Sequence, residues 1–145
     1  MGRAQSRIQP TFRASREGLG QVLGDLERAI METLWTIGAP ATVSDVQRAM
    51  ADEPRAYHTV TTVMVRLCEK GLLKRRKRSE VWHYAPALSR DEFERHVARQ
   101  VIKGVFSLAP EAAISSMLDI VAATDPEGLE ALARLIKEKK RQRGR

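Results

Sequence analysis

The sequence predicts a mainly α-helical protein with one small β-hairpin. Apolar residues recur at helical spacing in three segments that end before residue 72. Two short segments with β-branched, aromatic and basic residues then flank a polar turn at Arg78-Ser79-Glu80, as in a hairpin. Helical spacing returns after residue 88, in three segments that each open on a capping or proline signal.

Composition narrows the classes of protein to consider. A length of 145 residues suits one domain of ordinary size, or a small domain with an accessory piece. The single cysteine, Cys68, excludes an internal disulfide and any multi-cysteine metal site. The longest uncharged stretch, residues 33–44, is far too short to cross a bilayer, and no signal peptide is visible. We therefore expect a cytoplasmic protein without membrane insertion.

The N-terminal third contains two predicted helices. Residues 1–22 show no sustained periodicity and are predicted to form a flexible basic arm. A first helix is predicted from Asp25, because apolar residues recur at helical spacing as far as Gly38, which favours a helix end. A second, shorter helix is predicted after Thr42, whose spacing to Asp45 is that of a capping box.

A third helix is predicted over residues 58–70. Its β-branched residues favour a strand by propensity, but strict alternation fails at Thr61-Thr62 and the helical period fits better. The apolar positions follow the i, i+3, i+4, i+7 pattern: Val60, Val63, Met64 and Leu67. With the hairpin that follows and ends at Pro86, the order of elements is that of a winged helix-turn-helix, predicted at residues 23–87.

The C-terminal region is predicted to be a three-helix dimerisation domain at residues 88–138, followed by a basic tail at residues 139–145. Its long apolar stripe needs a covering surface. Packing back on the first domain and self-association are both open, and self-association is the more economical. The predicted dimerisation residues are Phe93, Val97, Val101, Val105, Ile114, Met117, Leu118, Val121, Leu129, Leu132 and Ile136.

Positive charge is concentrated at both chain ends and in one internal block that spans the third helix and the hairpin. The net charge of the chain is +7. Residues 55–83 hold eight basic and two acidic residues, whereas residues 25–54 and 84–136 are acidic overall. The second helix of a helix-turn-helix enters the major groove. There, threonine offers a hydroxyl group and a methyl group to base edges, while arginine binds the phosphates beside the groove. The candidate DNA-binding residues are His58, Thr59, Thr61, Thr62, Arg66, Arg75, Arg76, Lys77 and Arg78.

Simpler interpretations apply to each feature separately. A basic hairpin can be a charged edge that discourages aggregation, and polar threonines can simply face solvent. The three histidines, His58, His83 and His96, are dispersed without zinc-site spacing. No nucleophile–base pair or phosphate-binding glycine loop is present, so we expect no metal, no cofactor and no enzymatic activity. The residues interpreted as core include Cys68, Trp35 and Trp82.

Several segments together resemble the bacterial penicillinase-repressor family, which includes the β-lactamase and methicillin-resistance repressors and the copper-responsive repressors. The resemblance covers residues 23 to about 140. It is carried by residues 23–31 with Leu34-Trp35, residues 42–46, residues 56–63 with Arg66-Leu67, residues 70–73, and Trp82-His83-Tyr84 followed by Pro86.

The resemblance implies a homodimer that binds a double-stranded operator with inverted-repeat symmetry, while three C-terminal helices interlock with those of the partner. By motif position it gives the DNA-contact role to His58, Thr59, Thr61, Thr62 and Arg66. The copper-responsive members carry a C-terminal cysteine cluster, which this chain lacks.

The β-lactam-responsive members are released from DNA by cleavage of an Asn-Phe bond in the second C-terminal helix, which implies a membrane sensor protease as a partner. Asp119-Ile120 stand at the matching positions here, so the resemblance does not extend to that bond. The predicted function is a dimeric, sequence-specific transcriptional repressor. The alternative is a winged-helix interaction module that binds an acidic protein partner.

Overall fold

The computed structural model describes residues 23–52 and 54–145, and the predicted N-terminal arm lies outside them. This part of the chain contains the following elements: α1 (Asp25–Ile37), α2 (Val43–Ala49), α3 (Tyr57–Glu69), β1 (Leu73–Arg78), β2 (Val81–Pro86), α4 (Arg90–Leu108), α5 (Pro110–Thr124) and α6 (Gly128–Arg143). The predicted fold class, helices with one hairpin in winged helix-turn-helix order, is confirmed. The chain divides into two compact units, and the boundary between them lies between Val101 and Ile102, within α4.

The first unit is built around one hydrophobic core. Helices α1, α2 and α3, the base of the hairpin and the start of α4 all contribute side chains to it. Burial of such side chains from water is the main force that holds the elements together. The largest fully buried residues are Leu23, Ile30, Met31, Leu34, Val46, Val60, Met64, Leu67, Tyr84 and Phe93.

Local signals fix where the helices begin. The Thr42 hydroxyl accepts a hydrogen bond from the Asp45 amide at 3.1 Å, and the Asp45 carboxylate accepts one from the Thr42 amide at 2.9 Å. This reciprocal pair confirms the capping box predicted for α2. Ser89 and Glu92 form the same pair before α4, at 3.2 Å and 2.9 Å.

The end of α3 sets the direction of the chain into the hairpin. Gly71 adopts a left-handed conformation with φ of 81°. Its amide donates to the Cys68 carbonyl at 3.0 Å, and the Leu72 amide donates to the Leu67 carbonyl at 2.9 Å, which together make a Schellman motif. Leu72 is buried, so the cap also carries the chain into the core.

The hairpin pairs β1 with β2 in antiparallel register, from Leu73 opposite Pro86 to Arg78 opposite Val81. The turn consists of Ser79 and Glu80, both with positive φ, at 50° and 66°. Positive φ at both central residues is the geometry of a type I′ turn, which fits the twist of the two strands.

A short extra pairing anchors the base of the hairpin. The amides of Ala41 and Tyr84 donate to each other's carbonyls at 2.9 Å and 2.8 Å. The loop before α2 therefore lies alongside β2 as a single-residue bridge.

The first turns of α4 belong to the first unit. Phe93 is buried there, with its ring centroid 5.6 Å from that of Trp35. The Trp35 indole N–H donates to the Leu88 carbonyl at 2.9 Å, which ties α1 to the segment before α4. Val97 is partly buried against the same core.

The second unit contains the end of α4 together with α5 and α6. Neither α5 nor α6 has a fully buried side chain. Helix α6 continues to Arg143, so most of the segment predicted as a basic tail is helical. In the described ranges of the chain, no helix is both long enough and apolar enough to span a membrane.

Candidate nucleic-acid interface

Helix α3 presents a polar face opposite its buried one. Val60, Met64 and Leu67 point into the core. On the opposite side, His58 and Thr62 lie one turn apart, because residues at i and i+4 share a helix face. His58, Thr59, Thr62 and Arg66 are exposed and Thr61 is half-buried beside them, so the structure places all five predicted residues on or beside this accessible face.

The two threonine hydroxyls are already engaged within the helix. Thr61 Oγ1 donates to the Tyr57 carbonyl at 2.8 Å, and Thr62 Oγ1 donates to the His58 carbonyl at 2.9 Å. Their hydrogens are therefore used internally. Each side chain still offers a methyl group and an oxygen lone pair, which suit a thymine methyl group or a base amino group.

Electrostatics at the start of α3 favour an anion. Helix N-termini carry partial positive charge from unpaired amide groups, and the first turn of α3 holds no acidic residue that would neutralise it.

Two further residues, Val65 and Glu69, lie on the same face of α3 as His58 and Thr62, and neither was in the predicted set. Glu69 places a negative charge at the far end of this face.

The hairpin is a short ribbon whose outer part is basic. Leu73 is buried, and every residue from Lys74 to Arg78 is exposed. The predicted residues Arg75, Arg76, Lys77 and Arg78 are therefore all available to a ligand. Lys74 was missed, although it extends the same basic run by one position.

Trp82 corrects one prediction made from the sequence. It was expected in the core, but it is 38% exposed on the outer part of β2. Its ring lies 4.3 Å from the Arg75 guanidinium carbon and 5.3 Å from the Lys77 ammonium nitrogen. Its register explains the exposure: Trp82 pairs with Lys77 near the turn, whereas Tyr84, two residues closer to the base, is buried.

The cysteine and histidines show no arrangement suited to metal binding. In residues 23–52 and 54–145, no three His, Cys, Asp or Glu side chains are grouped so that they could hold a metal ion. Burial raises the pKa of the Cys68 thiol, and the nearby Arg75 charge partly opposes that shift. Cys68 is half-buried beside the core, close to the position expected from the sequence.

The predicted dimerisation residues divide into two groups. Phe93 is buried in the first unit and Val97 packs against its core, so both are already covered by their own chain. We therefore leave these two out of the proposed dimer surface. The exposed members are Val105, Ile114, Met117, Leu118, Leu129 and Ile136, and Val101, Val121 and Leu132 are half-buried.

Further apolar side chains of the second unit were missing from the predicted set. Their exposed fractions are large, reaching 86% at Leu108 and 66% at Leu135. Large contiguous patches of exposed apolar surface are rare on soluble monomers and mark interaction sites where they occur. The other exposed members are Ile102, Phe106 and Ile120.

The family to which the chain belongs is decided by comparison with known proteins. The model of the penicillinase repressor family matches residues 23–138, which include the start of each helix described above and the whole hairpin. The chain belongs to the penicillinase repressor family. Two relatives, each named transcriptional regulator BlaI, come from Mycobacterium tuberculosis strains CDC 1551 / Oshkosh and ATCC 25618 / H37Rv. Each is 37% identical over 119 residues, covering 78% of this chain and 84% of the relative.

One solved structure is also similar to this member of the penicillinase repressor family. It is the solution structure of the monomeric form of Bacillus licheniformis BlaI in complex with the blaP half-operator. The identity is 22% and the TM-score is 0.41, over 48% of this chain and 85% of that chain.

Proposed function

We propose that this chain is a homodimeric transcriptional repressor that binds an inverted-repeat operator in double-stranded DNA. The observation that carries the proposal is the packing of α3, whose outer face is polar, against the basic strand β1, on a chain that belongs to the penicillinase repressor family. Relatives at 37% identity are named transcriptional regulators, which supports the same function.

In the proposed complex, α3 lies in the major groove and the hairpin contacts the backbone beside it. His58 and Thr59 lie in the first turn of α3, where a recognition helix meets base edges. Arg66, two turns further along the helix, is placed for a phosphate. The basic residues of β1 supply the remaining backbone contacts, which are sequence-independent.

The second unit supplies the proposed dimer contact. Helices α5 and α6 expose a large apolar surface, and a two-fold axis through it would present two copies of α3 to two half-sites. Asp119 and Ile120, at the positions of the scissile bond in β-lactam-responsive members, lie within α5, and Ile120 is 62% exposed. Because the residues differ from Asn-Phe, release by a membrane sensor protease is not part of the proposal.

The test is equilibrium binding of the full chain to its own promoter region, with a scrambled duplex as control. If a dimer neutralises eight to ten phosphates, affinity should fall roughly 10⁴–10⁵-fold between 50 and 200 mM salt. Sequence-specific, salt-sensitive binding is expected at submicromolar protein concentrations. Its absence, together with nuclease-resistant capture of an acidic protein, would favour the interaction-module alternative.

Two sets of variants separate base contacts from backbone contacts. Replacing Arg75 and Arg76 by alanine should weaken binding to all duplexes similarly, because phosphate contacts carry no sequence information. Thr62→Ala should alter preference at one base pair by about 1–3 kcal/mol. Thr62→Val keeps the methyl group and should retain a preference for thymine, whereas Thr62→Ser should lose it. If Thr62→Ala leaves the base preference unchanged at every position of the operator, α3 lies in the major groove in a different rotation about its own axis.

A further inference from the structure

The antiparallel register divides the basic residues of the hairpin between two faces. Paired residues project to the same side of a two-stranded ribbon, and neighbours along a strand project to opposite sides. Arg75 and Lys77 therefore share a face with their partners Tyr84 and Trp82. The other face carries Lys74, Arg76 and Arg78 with their partners, which include His83.

Only one of these faces carries a ring that contacts its basic groups, the indole of Trp82. Trp82 stacks with Arg75 at 4.3 Å and with Lys77 at 5.3 Å, and all three side chains remain exposed. The Lys77 contact is a direct cross-strand pair, whereas the Arg75 contact is diagonal. The basic side chains of the opposite face have no such ring contact among the described residues.

Stacking on a ring leaves arginine able to bind phosphate. A guanidinium group that stacks face to face on an indole ring keeps its five N–H donors in its own plane, where they remain free for other partners. A stacked arginine has therefore given up side-chain freedom while keeping its donors. An ordered donor forms a new contact at a lower entropic cost than a free one.

The same face of the hairpin lies on the side of α3. Strand β1 packs against α3, and Leu73 and Tyr84, which share the face of Trp82, are buried in the core of the first unit. The charge of Arg75 also reaches Cys68 on α3, where it opposes the effect of burial on the thiol pKa. Arg75 thus contacts the ring of Trp82 and lies near enough to the C-terminal half of α3 for its charge to act on Cys68.

We propose that Trp82 is a positioning residue for DNA binding, whose ring holds Arg75 and Lys77 in place as phosphate ligands. The inference rests on the proposed function, since it assigns a role within the same interface. It makes Arg75 and Lys77 the ordered contacts of the hairpin and Lys74, Arg76 and Arg78 the adaptable ones. Trp82 itself acts through its neighbours and need not touch DNA.

The experiment compares Trp82→Leu and Trp82→Phe with the parent chain, by operator binding over a salt series. Trp82→Leu keeps an apolar side chain but removes the ring, and we expect binding about fivefold weaker for each half-site. The slope of log affinity against log salt should become less steep by about 0.9 for each phosphate that the variant no longer neutralises. Trp82→Phe, which restores a ring face, should recover most of both quantities.

A second comparison identifies the residues through which Trp82 acts. In a background with Arg75 and Lys77 both replaced by alanine, Trp82→Leu should change affinity by less than about twofold, because the groups that it positions are gone. In the matched background with Arg76 and Arg78 replaced by alanine, Trp82→Leu should keep its full effect. Equal effects in the two backgrounds would overturn the proposal.

Thermal unfolding of each variant separates positioning from simple loss of structure. If Trp82→Leu weakens binding only in proportion to a lower Tm, and Trp82→Phe fails to restore the salt slope, the ring has a structural role alone and the proposal is wrong. If the parent chain binds the operator and Trp82→Leu binds equally well, the proposal fails while the proposed function stands. If the parent chain binds no duplex in a salt-sensitive manner, the proposed function itself fails.

Discussion

Replacing Phe93 by alanine tests whether the first turns of α4 belong to the core of the first unit. The Phe93 side chain is 1% exposed and packs beside Trp35, so its removal leaves a cavity in the core of the first unit. Truncation of a fully buried phenylalanine costs about 3–5 kcal/mol, and the aromatic pair adds to the upper part of that range. We therefore expect Phe93→Ala to destabilise the chain by about 4 kcal/mol, a large share of the roughly 5–15 kcal/mol typical of a domain.

Urea unfolding followed by far-UV circular dichroism measures this destabilisation at fixed protein concentration. With an m-value of about 1.5 kcal/mol/M, the midpoint should fall by about 2–3 M. Phe106→Ala is the matched control, because it makes the same substitution on the same helix at a side chain that is 36% exposed. The control should have a much smaller effect on the midpoint of the first unit.

The contrary result is specific. If Phe93→Ala leaves the stability within about 1 kcal/mol of the parent and instead shifts the dimer dissociation constant, Phe93 lies in a subunit interface. That outcome would agree with the expectation from sequence and would refute the packing of α4 described above.

Three further predictions concern the turn, a helix cap and the cysteine. Replacing Ser79-Glu80 by Asn-Gly should raise Tm by about 4–8 °C, because about 1 kcal/mol of left-handed strain is relieved; calorimetry showing an unchanged or lower Tm would contradict this. The Thr42 amide holds the pKa of the Asp45 carboxyl below its ordinary value. Ionised Asp45 therefore stabilises the fold at any pH above the ordinary pKa, and this stabilisation is lost as the pH falls through the lower pKa of the folded chain. Asp45→Ala should therefore destabilise at neutral pH and converge with the parent in strongly acidic unfolding, and a constant difference would contradict the assignment. Burial raises the pKa of the Cys68 thiol, so a disulfide reagent at mildly alkaline pH should react with it more slowly in the folded than in the urea-unfolded chain; equal rates would show that the thiol is open to solvent.

Helices with strong end signals could be predicted from sequence because the signals are local. The capping box at Thr42 and Asp45 forms as expected. The C-terminal signal at Gly71 likewise matches the structure. Such signals depend on hydrogen bonds between residues three to five positions apart, which any chain with that sequence can form.

Burial was harder to predict, because it depends on which element covers a face. The spacing of Phe93, Val97, Val101 and Val105 forms one continuous stripe in sequence. In the structure, the first unit covers its beginning and leaves Val105 47% exposed. The prediction for Trp82 was wrong for the same reason, since its hydrophobicity gives no information about how far the core extends along a hairpin.

The basic C-terminal segment shows a similar limit. It was interpreted as a tail because charge runs often lie outside folded domains. Lysine, arginine and glutamine are nevertheless good helix formers, and cations in the last turn interact favourably with the helix dipole. A pair between Glu138 and Arg141 adds to this, and α6 continues to Arg143.

The bridge between Ala41 and Tyr84 has a mechanical consequence. It gives β2 a hydrogen-bonded neighbour on each side at the base of the hairpin, whereas the segment near Ser79 and Glu80 has support from one strand alone. The hairpin is thus fixed at its base near Tyr84 and free at its turn, so the amplitude of its thermal motion should grow with distance from Tyr84. Amide exchange should be slowest at Tyr84 and fastest at the turn. In the proposed complex, Arg78 at the free end would therefore adapt to variation in the width of the DNA groove more readily than Arg75, which is paired with Tyr84 at the base.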